Sequence, residues 1–212
     1  MSTEEREEWL DIFTSEMIPC GRAPRSMVHE RGLWHQTFHA WIASARRLDA
    51  KLVIQLRGPH KDTNPLRFDV SAAGHLEAGE SPDDGVREIE EELGLHLSAA
   101  RLHKLGVVAN EARFGSVWDR EFHHVYAAIV PDLVLEALRP APDEIAGIYE
   151  IPMGDFLDLA FGRRREAVLT GYRLSPSGLQ RDARVAAWAD FVPRSRAYLQ
   201  LLERFFAQED AP

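Results

Sequence analysis

The chain has 212 residues, 45% of them apolar and 28% charged, enough apolar material to bury a core and a length that suits one domain spanning 1–212. A formal charge of −9 argues against nucleic acid as a partner, and no dense basic cluster appears apart from Arg163, Arg164 and Arg165. Cys20 is the only cysteine, which excludes an internal disulfide or thiolate metal site and makes a reducing, cytoplasmic setting the expectation.

The start, MSTEEREEW, is acidic and lacks the basic-then-apolar layout of a secretory leader, and no run approaches the length of a membrane span, so no membrane partner is expected. Trp9 to Thr14 reads as a short strand, followed by a Pro19-Cys20-Gly21 turn and a connecting segment through Arg31 and Gly32. From Trp34 to Ile42, alternation puts Trp34, Phe38, Ala40 and Ile42 on one face of a longer strand. His35, Thr37, His39 and Trp41 fall on the other face, the one expected to meet a ligand.

Lys51 to Arg57 is another strand, Gly58 to Arg67 a polar loop bearing a proline, and Phe68 to Ser71 a short extended lead into a glycine-punctuated turn. Further strands are expected at Leu105 to Ala109, Phe122 to Val130 and Gly147 to Ile151, with a helix from Met153 to Phe161. Apolar residues at helical spacing over Ala183 to Phe191 and Arg194 to Gln208, with Pro193 between, predict a helical C-terminal third at about 183–208.

Between Gly74 and Leu95 the sequence reads GHLEAGESPDDGVREIEEELGL, a turn running into a helix that carries Glu88, Glu91 and Glu92 along one face. Three like charges so close repel, and a hard divalent cation such as Mg²⁺ relieves them while keeping waters for a phosphate partner. The alternative is a solvated acidic helix capped by Ser81 with Pro82 at its first position. Against it stand the carboxylate repulsion and Gly85, which gives up about 1 kcal/mol of helix propensity.

The same stretch resembles the box of the Nudix hydrolases: G, five residues, E, seven residues, then R-E-U-x-E-E-x-G-U with U aliphatic. Gly74, Glu80, Arg87, Glu88, Ile89, Glu91, Glu92, Gly94 and Leu95 match its specified positions. One departure is that six residues, Ser81 to Val86, separate Glu80 from Arg87 where the family has seven. The resemblance implies an α/β/α sandwich with a mixed sheet, here carrying a C-terminal helical extension. It also implies Mg²⁺ or Mn²⁺ held by Glu88, Glu91 and Glu92, with the Gly74 carbonyl as a further ligand and Glu80 with Arg87 fixing loop to helix. A homodimer follows from family habit.

Splitting a diphosphate requires neutralised oxygens, an aligned water and a group to take its proton. Arg57 and Lys61, at a strand end and in the loop before the box, are the candidate cations for the phosphates. For the proton acceptor or an extra ligand, Glu121 before the strand FHHVYAAIV is favoured over Glu144 in the acidic turn APDE.

A second resemblance, carried by WHQTFHAWI, by Gly74-His75 and by Asp119-Arg120-Glu121, is to isopentenyl diphosphate isomerase of the same superfamily. It implies a second cation site at His35, His75, Asp119 and Glu121, with His29 a looser fit. For a lone histidine a packed imidazole is the ordinary fate, and of His123 and His124 at most one faces the site. That isomerase needs a cysteine where this chain has Ala73, and Cys20 is far upstream. Trp34, Trp41 and Trp118 are candidates for a stacking ring, or for core.

The expected function is hydrolysis of a diphosphate linkage in a small phosphorylated compound. An isomerase-like enzyme and a non-catalytic nucleotide-sensing module are the alternatives. Neither the downstream proline of ADP-ribose enzymes nor the downstream tyrosine of dinucleoside polyphosphate enzymes stands at its interval, which leaves the compound open.

Overall fold

A computed structural model describes residues 7–208; the acidic start through residue 6, read above as lacking a leader, lies outside them. The elements are β1 (Trp9–Phe13), β2 (Pro19–Pro24), α1 (Arg25–Arg31), β3 (His35–Ala43), β4 (Lys51–Arg57), β5 (Phe68–Asp69) and β6 (Ala72–His75). Then come α2 (Arg87–Leu93), β7 (Leu102–Phe114), β8 (Val117–Ile129), β9 (Ile145–Pro152), α3 (Met153–Ala160), β10 (Ala167–Ser175), β11 (Gly178–Ala186) and α4 (Arg196–Phe206).

Among the described residues, nine strands form one sheet in the order β11-β10-β9-β4-β3-β8-β7, with β5 on β4 and β6 on β3. The β3–β8 pair is parallel and the others antiparallel, so the sheet is mixed and the fold α/β. The alternation expected of β3 sets the layers. Phe38, Ala40 and Ile42 pack with Ile89 and Leu93 of α2, whereas Trp41 packs with Phe156 of α3 and with Tyr198 and Leu202 of α4.

The feature that makes room for a site is a split. β3 and β4 pair only at Ala43↔Leu52, and beyond that point β6 pairs with β3 while β5 pairs with β4. Ser71, fully buried between β5 and β6, closes the vertex: its Oγ accepts from Ile42 N–H at 2.8 Å and donates to Val53 C=O at 2.6 Å. One hydroxyl thereby takes both groups that diverging strands would leave unpaired.

Several expectations need correction. Pro19-Cys20-Gly21 is not a turn but the start of β2; the turn is Thr14 to Ile18, where Thr14 Oγ1 accepts from two backbone N–H groups and Met17 takes φ 63°. Proline is tolerated at the first residue of an unshared strand edge. The segment before Gly32 holds a helix, α1, closed by Gly32 at φ 61°.

Ala183 to Phe191 is not helical: Ala183 lies in β11, hairpin-paired to β10, and only a single 3-10 turn follows at Trp188–Asp190. Its apolar spacing fits either period, and strand pairing decides. The C-terminal helix is α4 alone, and the expected strand at Leu105 to Ala109 extends into the long edge strand β7.

The box helix also starts later than a Ser81 cap implies. Ser81 donates to the Asp84 carboxylate, a 3-10 turn covers Asp84–Val86, and α2 begins at Arg87. Gly85 is there for space, since a Cβ on it would lie 2.5 Å from Phe38 Cβ.

Ser71→Ala is expected to leave Ile42 N–H and Val53 C=O buried without partners and to lower stability by about 1–3 kcal/mol. The measurement is the urea midpoint at unchanged m, and a midpoint equal to that of the native protein would remove Ser71 from this role.

Candidate active site

The split opens into a cleft of about 970 Å³ lined by residues of β3, β4, β6, α2, β7 and β8. Glu92 reaches it from α2, where its Oε2 accepts from Ala73 N–H and from Gln55 Nε2, both at 3.0 Å. Glu88 lies against Gly74, where a Cβ would come within 2.1 Å of the Glu88 carboxyl carbon, so only glycine fits. Glu91 is exposed at the cleft mouth.

The six-residue spacer is absorbed by the 3-10 turn, and the Glu80–Arg87 pair forms: Arg87 Nε donates to Glu80 Oε1 at 2.7 Å and Nη2 to Oε2 at 3.0 Å. Glu80 also accepts from Glu77 N–H at 2.7 Å, which ties the turn to the helix. Arg87 Nη1 further donates to Glu88 at 2.6 Å and Glu91 at 3.0 Å, so the arginine partly neutralises the acidic face itself. Burial, reinforced by neighbouring glutamates, still pushes the Glu88 carboxyl up to about 8, against the opposing pull of Arg87. Burial likewise pushes Glu92 up to about 7.

Beside this face lies a second cluster. His29 from α1, His35 from β3 and His75 from β6 have ring centroids 5.2–5.3 Å apart, and Asp119 and Glu121 project from β8 at i, i+2. His35 Nδ1–H donates to Leu33 C=O at 3.0 Å, because a carbonyl can only accept, and its Nε2 therefore carries a lone pair. That Nε2 is buried without a partner, 3.8 Å from Asp119 Oδ1 and from Glu121 Oε1, and Asp119 Oδ1 is unpartnered too. His29 is as close as His35 to Asp119, with Nε2 at 3.8 Å, so it belongs to the group rather than fitting loosely.

Burial pushes His35 well below its usual range and His29 to about 4, so both stay neutral, while burial raises Asp119 and Glu121. Acceptors that face acceptors need a cation or a shared proton between them. Nitrogen and oxygen donors of this kind match a divalent ion. Ligand atoms of His29, His35 and His75, and of His35, Asp119 and Glu121, lie within 4.8 Å of one another.

The candidate cations are placed less simply. Arg57 lines the cleft, yet its Nε and Nη2 donate to Thr63 C=O and its Nη1 to Asp69, so much of its fork holds the 58–67 loop. Lys61 lines the cleft in an ion pair with Glu144, and burial lowers its ammonium somewhat. Of the two strand histidines, His123 faces inward, its Nδ1 2.9 Å from Thr37 Oγ1, and His124 lies on the opposite face. Cys20 is exposed on β2. None of the three tryptophans lines the cleft: Trp34 stacks on Phe122, Trp41 is core, and Trp118 lies between Arg113 and Arg120.

Sequence reasoning missed Arg25, Asp69 and Arg194, which also line the cleft. Asp69 sits beside an expected strand and was findable as a charge about to be buried. Arg194 follows Pro193 in a segment with no pattern pointing to the site.

A model of the NUDIX domain matches residues 37–170. The chain is 35% identical over 199 residues to an uncharacterized Nudix hydrolase of Clostridium acetobutylicum, covering 93% of this chain and 96% of that protein. It is 33% identical over 155 residues to Nudix hydrolase 3 of Arabidopsis thaliana, covering 71% of this chain and 20% of that longer protein. The crystal structure of DR0079 from Deinococcus radiodurans shares the fold, with a TM-score of 0.58 at 17% identity over 93% of this chain and 99% of that one.

The raised carboxyls set a pH dependence. Glu88 and Glu92 hold protons in the folded state up to about 8 and 7, against 4.5 when unperturbed, so the folded state binds more protons across that window and stability falls as pH rises through it. In chelator, the melting temperature is expected to drop between about pH 5 and about pH 8, and to drop less in Glu92→Gln. Parallel native and variant curves would show that Glu92 titrates normally.

Proposed function

The chain belongs to the Nudix family of hydrolases, and on that premise we propose that it is a Mg²⁺- or Mn²⁺-dependent pyrophosphohydrolase that splits a phosphoanhydride bond in a small phosphorylated compound. The observation that carries this reading is the convergence on one cleft of Glu88, Glu91 and Glu92 with Arg57 and Lys61, acidic ligands facing cations across a space large enough for such a compound.

Glu88, Glu91, Glu92 and the Gly74 carbonyl are our assignment for one divalent site, and His35, His75, Asp119 and Glu121, joined by His29, for a second. The unpartnered His35 Nε2 and Asp119 Oδ1 support the second. Bound ions would supply charge neutralisation on the phosphate oxygens and a more acidic water. Arg57 and Lys61 hold phosphate oxygens, and Glu80 with Arg87 keeps the glutamate helix against its loop. Glu121, where it is not a ligand of the second site, is our assignment for the group that takes the proton of the attacking water, as a carboxylate at the cleft wall.

Isomerisation is not favoured, because the position that needs a proton-transferring cysteine is Ala73, whose N–H is bonded to Glu92. No described helix is long and apolar enough to cross a membrane, and the cytoplasm is the setting we propose from the lone Cys20.

Phosphate or pyrophosphate release across a panel of nucleoside diphosphate derivatives, with Mg²⁺ or Mn²⁺, tests the reading. The native protein is expected to turn over at least one compound, and Glu91→Gln and Glu92→Gln to lose about a hundredfold or more in kcat. Glu91 is exposed, so its variant reports on chemistry with little effect on folding. Binding without turnover would make the protein a sensor, and full activity in chelator would end the metal assignment.

A further inference from the structure

One cation in the cleft has no part in the chemistry above. Arg194 lies between the 3-10 turn at Trp188–Asp190 and α4, in a segment held firmly at both ends. Val192 N–H donates to Phe68 C=O at 2.8 Å, and Arg67 Nη1 donates to Ala189 C=O at 3.0 Å and Phe191 C=O at 3.1 Å. On the far side Ser195 caps α4 through Tyr198 N–H. Pro193, with its fixed φ, narrows what remains of the freedom between these anchors.

From there the Arg194 side chain, 10% exposed, reaches Asp69 Oδ1 and stands 5.2 Å from the centre of the Tyr198 ring. Asp69 is almost fully buried and also accepts from Val70 N–H at 2.8 Å and Arg57 Nη1 at 3.0 Å. One carboxylate thus faces two guanidinium groups, and neutralising Asp69 needs only one of them. The surplus positive charge stands among cleft residues, close enough for its field to act on Glu121 and on His39 and His123.

A donor count separates the two arginines. A guanidinium has five N–H groups. Arg57 commits all three nitrogens, to Thr63 and Asp69. Among the described residues Asp69 is the only hydrogen-bond acceptor on Arg194, which meets it through Nη2, and neither Nε nor Nη1 is sealed from solvent. Arg194 lines the same cleft as Glu88, Glu91 and Glu92. A buried, preoriented guanidinium with free N–H donors suits a charge-assisted contact with phosphate oxygens.

We propose that Arg194 binds phosphate oxygens of the substrate, with Asp69 aiming it, alongside Lys61 and an Arg57 much of whose fork holds the 58–67 loop. The proposal rests on the phosphoanhydride reading. It also places a substrate contact beyond residue 170, where the match to the family model ends.

Calorimetric titration with inorganic pyrophosphate in Mg²⁺ tests it, with native protein beside Arg194→Ala, Arg194→Lys and Arg57→Lys, and melting curves for each. Loss of a charge-assisted phosphate contact is expected to weaken pyrophosphate binding about 10- to 100-fold in Arg194→Ala. KM for whichever compound is turned over should rise similarly, with kcat changing less. Arg194→Lys keeps a cation beside Asp69, so it guards against loss of folding, and is expected to recover only part of the affinity.

Native affinity in both Arg194 variants, with only the melting temperature lowered, would reduce Arg194 to a structural partner of Asp69 and leave the hydrolase reading standing. A greater loss of affinity in Arg57→Lys than in Arg194→Ala would reverse the assignment. A native protein that neither binds pyrophosphate nor hydrolyses any diphosphate would overturn the parent reading, and this proposal with it.

Discussion

The site depends on a sheet that comes apart at one defined point. Adjacent strands normally exhaust each other's backbone hydrogen bonds, leaving no route through the sheet for a side chain. Here β3 and β4 separate after Ala43↔Leu52, Ser71 satisfies the two groups at the vertex, and the β5–β6 segment lines both sides of the opening. Glu92 can then extend from the helix layer into the gap and accept from Ala73 and Gln55, which lie on opposite flanks. Two side chains would obstruct this, and both are absent. Gly74 leaves room for the Glu88 carboxylate and Gly85 lets the box turn lie on Phe38.

Burying that many carboxylates is unfavourable unless something compensates, and the compensation is divided. Arg87 covers the outer edge of the acidic helix through Glu80, Glu88 and Glu91. Asp69 is matched by Arg57 and Arg194. Among the described residues, Glu92 has only neutral donors, and Asp119 and Glu121 have no hydrogen-bonding cation. The groups left least compensated are therefore Glu92 and the two carboxyls of the second cluster. A divalent ion would restore the balance there, which is a physical reason to expect affinity for metal independent of any family likeness.

How far the sequence could be read follows from where its information is local. The box was legible because its residues are contiguous and their spacing fixes a helix face. The faces of β3 were legible because a two-residue period is unambiguous over nine residues. His35, Asp119 and Glu121 meet through the parallel pairing of β3 with β8, a contact more than 80 residues apart in sequence, and only a resemblance joined them in advance. α1 was hidden because seven residues with one buried apolar position, Val28, carry no amphipathic signal. Ala183 to Ala186, the end of β11, read as helix because its small apolar residues suit both periods, and Arg194 carried no local signal, since its place at the cleft comes from docking Val192 on Phe68.

The two clusters also differ in how they respond to protons, and this bears on how an ion would enter. Glu88 and Glu92 change charge close to neutrality, so around pH 7 the helix face can exchange protons for a cation at modest cost. His29 and His35 stay neutral throughout that range, held there first by burial, so their nitrogens remain available as ligands without any proton having to leave. Asp119 and Glu121 beside them are raised by burial, so those two carboxyls, like the glutamate face, exchange protons for a cation. If ions occupy both, carboxyls of both clusters govern the pH dependence of loading, while Leu33 C=O on His35 Nδ1 keeps the His35 Nε2 lone pair aimed as a ligand whether or not the helix face is charged.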